Sequence, residues 1–249
     1  MMIVLHTKED FDGMRAAGKL AARVLDHISP FVKDGVTTGE LDDECHRFML
    51  ENGATSATLG YNNFPKATCI SVNHVVCHGI PGPKVLKNGD ILNIDVTVVL
   101  NGWFGDTSRM FTVGEISSAA RKLIDVAYDS LMLGIEIVRP GITTQNIGCL
   151  IQNFVKSRGF SVVRDFCGHG IGRVFHADPQ IPHFSISDNT VTVEEGMFFT
   201  IEPMVNAGGC GVRVLSDGWT AITKDHSLSA QFEHSIGVTS SGCEIFTIS

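Results

Sequence analysis

The sequence predicts an α+β fold in which helical and strand-like stretches follow one another with no break between domains. Three observations carry this reading. Four stretches repeat apolar residues at helical spacing. Two β-rich runs meet at Asn101-Gly102, a dipeptide suited to a two-residue hairpin turn. The segments Gly89-Asp90-Ile91-Leu92-Asn93-Ile94-Asp95 and Gly196-Met197-Phe198-Phe199-Thr200-Ile201-Glu202 each place an acid six residues after a glycine, which suggests two similar halves.

In chain order, Phe11, Met14, Leu20, Ala21, Val24, Leu25 and Ile28 mark an amphipathic helix over 8–28. Thr38 is the expected cap of a second helix, which carries Leu41, Cys45, Phe48 and Met49 on one face and ends at Gly53. A loop with Pro65 leads to a short strand at 67–72, then to the turn-rich segment 76–83. Strands are expected at about 90–100 and 103–113, and helices at about 117–138 and 143–158. Further strands are expected at 161–166, 196–206, 211–222 and 230–239. No linker or low-complexity tract divides the chain, so 1–249 reads as a single domain.

Composition narrows the class. The chain has 249 residues, 43% hydrophobic and 18% charged, which suits a globular core and not a disordered segment. A net charge of −8 disfavours nucleic acid or an anionic membrane as partner. The seven cysteines are odd in number and form no C-x-x-C pair, which fits reduced thiols in a cytosolic protein. No apolar run approaches the ~20 residues of a membrane-spanning helix. The start, Met1-Met2, carries no visible targeting extension, so a soluble cytoplasmic protein is expected.

Five residues decide the chemistry: Asp95, Asp106, His169, Glu202 and Glu233. Each lies in an apolar or Gly-rich context where a solvated charge is out of place. Buried carboxylates are costly unless something cationic neutralises them. Four of them with one imidazole suit a pair of divalent ions. If Asn101-Gly102 is the hairpin loop, Leu100 faces Trp103, Thr97 faces Asp106 and Asp95 faces Ser108. Side chains alternate along a strand, so Asp95 and Asp106 then share one face. Taken singly, Asp106 could instead cap a turn, and Glu202 or Glu233 could belong to a buried salt bridge. The scarcity of Lys and Arg in the latter two strands weighs against the salt bridge. Pro203 ends the Glu202 strand or places it at an edge, and Glu233 shares a face with Gln231.

Glycines flank His169 in Cys167-Gly168-His169-Gly170, allowing close approach to a ligand. His78 and His176 are candidate acid–base groups, since neutral imidazole titrates near physiological pH. His6, His27, His46 and His226 read as surface residues, and His74, His183 and His234 are not assigned. The chain has no Walker loop, no G-x-S-x-G elbow and no His-Glu-x-x-His helix.

Five long motifs then show a resemblance: VCHGIPGP at 76–83, NIDVTVVLNGWFGDTSRMF at 93–111, CGHGIGRVFHADPQ at 167–180, FTIEPMV at 199–205 and SAQFEHSIGVT at 229–239. Over nearly its whole length the chain resembles the type I methionine aminopeptidases, in bacterial style. The resemblance implies the pita-bread (creatinase/aminopeptidase) fold, a pseudo-two-fold antiparallel β-sheet with flanking helices. It implies removal of the initiator methionine from nascent polypeptide N-termini when the second residue is small. Two divalent ions (cobalt, manganese, iron or zinc) would be held by Asp95, Asp106, His169, Glu202 and Glu233. Glu202 would shuttle a proton, His176 would stabilise the oxyanion and His78 would assist the leaving nitrogen. Tyr61, Phe64, Cys69, His78, Phe175, His176 and Trp219 would bind the substrate. One monovalent cation would sit at Asn73, Val75 and Ser229. The implied partners are nascent chains and, transiently, the ribosome, with no specific nucleic acid, no membrane and a monomeric state. A small-residue rule would leave Met1 in place ahead of Met2. The alternatives are an Xaa-Pro-type dipeptidase or aminopeptidase of the same fold, and a non-catalytic pita-bread binding protein.

Overall fold

Reciprocal capping sets the starts of the α-helices at Lys8, Thr38 and Thr144, and the Ser117 hydroxyl alone caps the one beginning at Ser118. The computed structural model describes residues 3–186, 188 and 190–249, so the expectation about Met1 and Met2 lies outside the described residues. α1 (Lys8–Ile28) starts behind Thr7, whose backbone N–H donates to Asp10 Oδ2 at 2.9 Å. α2 (Thr38–Glu51) is capped by Thr37, one residue before the expected Thr38. The reason is Glu40: its Oε2 accepts the Thr37 N–H at 2.8 Å while Thr37 Oγ1 accepts the Glu40 N–H at 3.1 Å. The residue three after Thr38 is Leu41, which cannot close such a box. Thr38 turns its hydroxyl to Gly82 instead.

The chain continues through β1 (Thr55–Ser56), β2 (Cys69–Val72) and β3 (Val75–Cys77) to a long hairpin, β4 (Ile91–Leu100) and β5 (Trp103–Thr112). The expected register holds throughout: Leu100 faces Trp103, Thr97 faces Asp106 and Asp95 faces Ser108. Asn101 and Gly102 take φ of 52° and 78°, the left-handed pair that a primed turn requires. α3 (Ser118–Glu136) and α4 (Thr144–Ser157) follow.

The second half has shorter strands than expected: β6 (Ser161–Val162), β7 (Gly168–Gly170), β8 (Ala177–Ile181), β9 (Phe198–Ile201), β10 (Met204–Asn206), β11 (Val212–Val214), β12 (Ala221–Thr223), β13 (Ser229–Gln231), β14 (Glu233–Val238) and β15 (Cys243–Ile245). The expected 196–206 strand breaks at Glu202-Pro203, where proline supplies no donor. The stretch 211–222 is a hairpin, and 230–239 divides at Phe232, so β13 and β14 join different sheets.

Nine strands form a curled sheet whose main path runs β1-β4-β5-β14-β9-β7-β8, every pairing antiparallel; β2 also pairs with β4, and β15 with β14. One core cluster lies between α1, α2 and the β4–β5 hairpin, and a second lies between α3, α4 and β9 with its neighbours.

The two halves repeat in detail. Thr37 caps α2 and bridges Val85, and Thr143 caps α4 and bridges Thr192. The Gly35 N–H donates to Leu86 O at 3.0 Å, and the Gly141 N–H to Val193 O at 2.9 Å. Gly89 and Gly196 take φ of 93° and 88°, and each stands six residues before an acid of the site. The echo seen in the sequence is therefore a repeated helix–turn–strand unit that places one candidate site acid, Asp95 or Glu202, six residues after its glycine.

Candidate active site

Strand alternation and two hairpins bring the acids together. Asp95 and Asp106 project from the same face of β4 and β5, where Cys69 on β2 stands opposite Asp95. Glu233 opens β14 opposite Ser108 of β5. Glu202 lies where β9 ends and Pro203 turns the chain out of the sheet. His169 is the middle residue of β7, with glycine on both sides. A Cβ on Gly168 would come within 2.3 Å of Thr200 O, and one on Gly170 within 2.1 Å of Asp178 O. The glycines let β7 sit against its neighbours closely enough to carry the imidazole inward.

A cavity of about 380 Å³ results, lined by all five candidate ligands together with His78, His176 and Cys69. Asp106, His169 and Glu233 offer ligand atoms within 4.8 Å of one another. His169 Nε2 lies 3.5 Å from Asp106 Oδ2 and 3.7 Å from Glu202 Oε1. Its Nδ1 lies 3.1 Å from Gly170 O, an oxygen that can only accept, so Nδ1 carries the proton and Nε2 faces the acids.

The buried acids of the site disfavour one another's charge. Burial, reinforced by Asp106 and Glu202, raises the Asp95 carboxyl well above the usual range. Burial with Asp106, Glu202 and Asp95 does the same to Glu233. Burial pushes Glu202 up to about 7, against the pull of His169 and the Thr200 hydrogen bond. For His169, burial acts to remove the proton, but Asp106 and Glu202 outweigh it and its pKa is raised. Part of His176 reaches solvent, yet desolvation by its packing and then the nearby His169 lower it to about 4. Burial also lowers His78, which adopts φ of 55°, a left-handed conformation that is strained for a non-glycine residue.

Hydrogen bonds hold several of these groups in place. Thr97 Oγ1 donates to Asp106 Oδ1 at 2.8 Å. Thr200 Oγ1 donates to Glu202 Oε1 at 2.7 Å, and Gln231 Nε2 donates to Glu202 Oε2 at 3.4 Å. Gln231 Oε1 is buried with no hydrogen-bond partner among the described residues. Crowded acids, an imidazole whose Nε2 faces them and an unpaired buried acceptor make a donor set that fits hard or borderline divalent cations.

The expected substrate residues divide. Cys69, His78 and His176 line the cavity. Tyr61, Phe64, Phe175 and Trp219 stand around it in ring contacts. Tyr61 meets Phe175 at 4.9 Å and His176 at 5.1 Å, while Phe64 meets Trp219 at 5.2 Å and Trp219 meets His78 at 6.0 Å. Phe166, Cys167 and Met204, which the sequence reading did not single out, line the cavity directly.

Three of the four histidines expected on the surface, His6, His27 and His46, are half-buried, and only His226 of the four is exposed. His6, expected on the surface, stacks on Phe198 at 4.0 Å between ring centroids and is half-buried. The unassigned His183 is buried, and its Nε2 accepts the Glu202 backbone N–H at 3.1 Å. Its setting, Ile181-Pro182-His183-Phe184, is apolar in the same way as those of the candidate ligands, and that was the signal available.

Residues 12–240 match the model of metallopeptidase family M24. A methionine aminopeptidase of Rickettsia prowazekii is 57% identical over all of this chain and 96% of its own length. That of Escherichia coli is 54% identical over all of this chain and 95% of its own. A crystal structure of the Rickettsia prowazekii enzyme superposes with a TM-score of 0.98 at 56% identity, covering 99% of this chain and all of the other. The prolidase of Pyrococcus furiosus shares the fold at a TM-score of 0.80 with 21% identity, and this chain spans 66% of its length. The chain belongs to metallopeptidase family M24, and within it to the methionine aminopeptidases.

Proposed function

We propose that the chain removes the initiator methionine from nascent polypeptides whose second residue is small. The observation that carries the chemistry is the convergence of Asp106, His169 and Glu233 within 4.8 Å, in a cavity that Asp95 and Glu202 also line. Those five residues would hold two divalent ions of cobalt, manganese, iron or zinc, and Asn73, Val75 and Ser229 would hold one monovalent cation. When bound, the divalent ions supply Lewis acidity, polarising a carbonyl and lowering the pKa of water.

The chain's own residues do the rest. Glu202, held by Thr200 and Gln231, accepts the proton of the attacking water and returns it to the leaving nitrogen. His176, neutral at physiological pH, donates a hydrogen bond to the carbonyl oxygen as charge develops there. His78, which lines the same cavity, assists the leaving nitrogen. Cys69, Tyr61, Phe64, Phe175 and Trp219 enclose a thioether side chain and keep water from it. The reading takes 1–249 as one catalytic unit, monomeric and cytoplasmic, meeting its substrates by transient association with the ribosome. No described helix is long and apolar enough to cross a membrane.

An Xaa-Pro-type peptidase is the weaker reading: the prolidase-like structures share at most 23% identity, and this chain covers 59–66% of their lengths. A non-catalytic binding protein is also weaker, because the ligand set is complete. The test is hydrolysis of Met-Gly-Met-Met beside Met-Lys-Met-Met and a Pro-peptide, with apoprotein reloaded by Mn(II), Fe(II) or Co(II). Metal-dependent methionine release from the first peptide alone, lost in Glu202→Gln, is the expected result. Absence of turnover with every ion, despite measured binding, would overturn the proposal.

A further inference from the structure

Away from the site, two histidines that the mechanism does not use face one another. His74 sits in the turn between β2 and β3, and His226 in the turn between β12 and β13. Their ring centroids are 5.2 Å apart with the planes inclined at 58°. An imidazole nitrogen binds zinc at about 2.0–2.1 Å, so two rings on one tetrahedral ion have centroids roughly 5 Å apart. The observed spacing is the one such an ion needs.

Both turns are held in place by the backbone. The Thr223 N–H donates to His74 O at 3.0 Å, the Ser229 N–H to Asn73 O at 2.9 Å and the His226 N–H to Thr223 O at 3.2 Å. Thr223 Oγ1 adds a bond to Ser227 O at 2.8 Å. Asn73 and His226 both adopt φ of 57°, so each turn contains a residue in the left-handed region. The rings therefore lie together because the framework places them there. His226 is exposed and His74 is half-buried beside a cavity of about 260 Å³, so an ion can reach them from solvent.

We propose that His74 and His226 form a second metal site, distinct from the carboxylate-rich centre, for a borderline transition dication such as Zn²⁺ or Cu²⁺. The donor set is two imidazoles completed by water, which excludes hard ions such as Mg²⁺ or Ca²⁺. Lys84 lines the same cavity and its ammonium opposes the ion, so the affinity is modest. An ion here would tie together two turns that run into the candidate site: β2 carries Cys69, β3 leads to His78 and β13 leads to Glu233.

Equilibrium dialysis of the full chain against Zn²⁺ tests this, with wild type, His226→Ala and His74→Ala compared and the fold verified by circular dichroism. Wild type should bind one equivalent more than either variant, and methionine release should stay unchanged in both variants. Copper added as the last equivalent should show nitrogen hyperfine structure from two imidazoles in its electron paramagnetic resonance spectrum. Equal zinc stoichiometry in wild type and His226→Ala would overturn the proposal, since that side chain is exposed and its loss leaves the core intact. A copper spectrum unchanged by both substitutions would do the same.

Discussion

Thr200 Oγ1 donates to Glu202 Oε1 across 2.7 Å, and Thr200 Oγ1 itself accepts the His169 backbone N–H at 3.0 Å. One buried hydroxyl thus links the proposed proton shuttle to the strand that carries the proposed imidazole ligand. Partners of this kind orient the groups that meet a metal, and their loss costs about 10–100-fold in metal affinity or activity. Thr200→Val keeps the volume and removes the hydroxyl, so we expect kcat/KM to fall by that factor while the fold persists. Thr200→Ser should retain most of the rate. Steady-state kinetics with a metal titration decide it, and a Thr200→Val enzyme with wild-type affinity and rate would refute the role.

How much of this was legible in the sequence differs from part to part, for physical reasons. The β4–β5 register was readable because Asn-Gly dictates a two-residue turn and alternation then fixes every pair, including Thr97 with Asp106. The repeat was readable because a left-handed turn six residues before each acid needs glycine. The α2 cap was misplaced by one residue because two adjacent threonines compete and only the partner three residues on tells them apart. The breaks at Pro203 and Phe232 were not readable from apolar content, since strands on both sides are equally apolar and sheet membership is a tertiary property. His6 and His183 escaped for the same reason. Nothing near them in sequence announces Phe198 or the Glu202 backbone as partner.

His183 carries the next expectation. Burial pushes its pKa down to about 3, so the ring is neutral and Nε2 is free to accept from the Glu202 N–H. His183→Ala would leave that buried donor unpaired beside a new void, which costs roughly 1–3 kcal/mol for the donor alone. Because the anchored peptide carries Glu202, kcat should fall more than KM rises. His183→Gln, which still offers an acceptor, should recover part of the rate. Urea unfolding together with kinetics separates the two effects; equal loss in Ala and Gln variants would reduce the role to packing.

Metal removal should expose the cost of the crowded acids. Glu233 is buried among Asp106, Glu202 and Asp95, all of which disfavour its charge. In metal-free protein, Glu233→Gln removes that repulsion, so the variant should be the more stable by about 1–3 kcal/mol. With Mn(II) the order should reverse, because ions that bind only the folded state stabilise in proportion to affinity. Thermal unfolding of both proteins in chelator and in Mn(II) provides the check. A metal-free variant less stable than metal-free wild type would show that Glu233 is held by something other than ions.

The approach of α1 to β5 sets where Asp106 can stand. A Cβ on Gly105 would lie 2.4 Å from the Ala17 carbonyl carbon, 2.5 Å from its oxygen and 2.7 Å from the Gly18 nitrogen. All three are backbone atoms inside a helix, so no rotamer change can relieve the clash, and either the strand or the helix must shift. Gly105→Ala should therefore cost about 3 kcal/mol, or roughly 6–12 °C in Tm for a chain of this size. The shift would also move the neighbouring Asp106 away from His169, so metal affinity should fall along with stability. Adding Ala17→Gly should restore neither, because the obstructing atoms are the main chain of residue 17 and not its methyl group. Recovery in that double variant, measured by thermal unfolding and metal titration, would show that the helix yields at its side chains and that the close backbone approach is not what fixes Asp106.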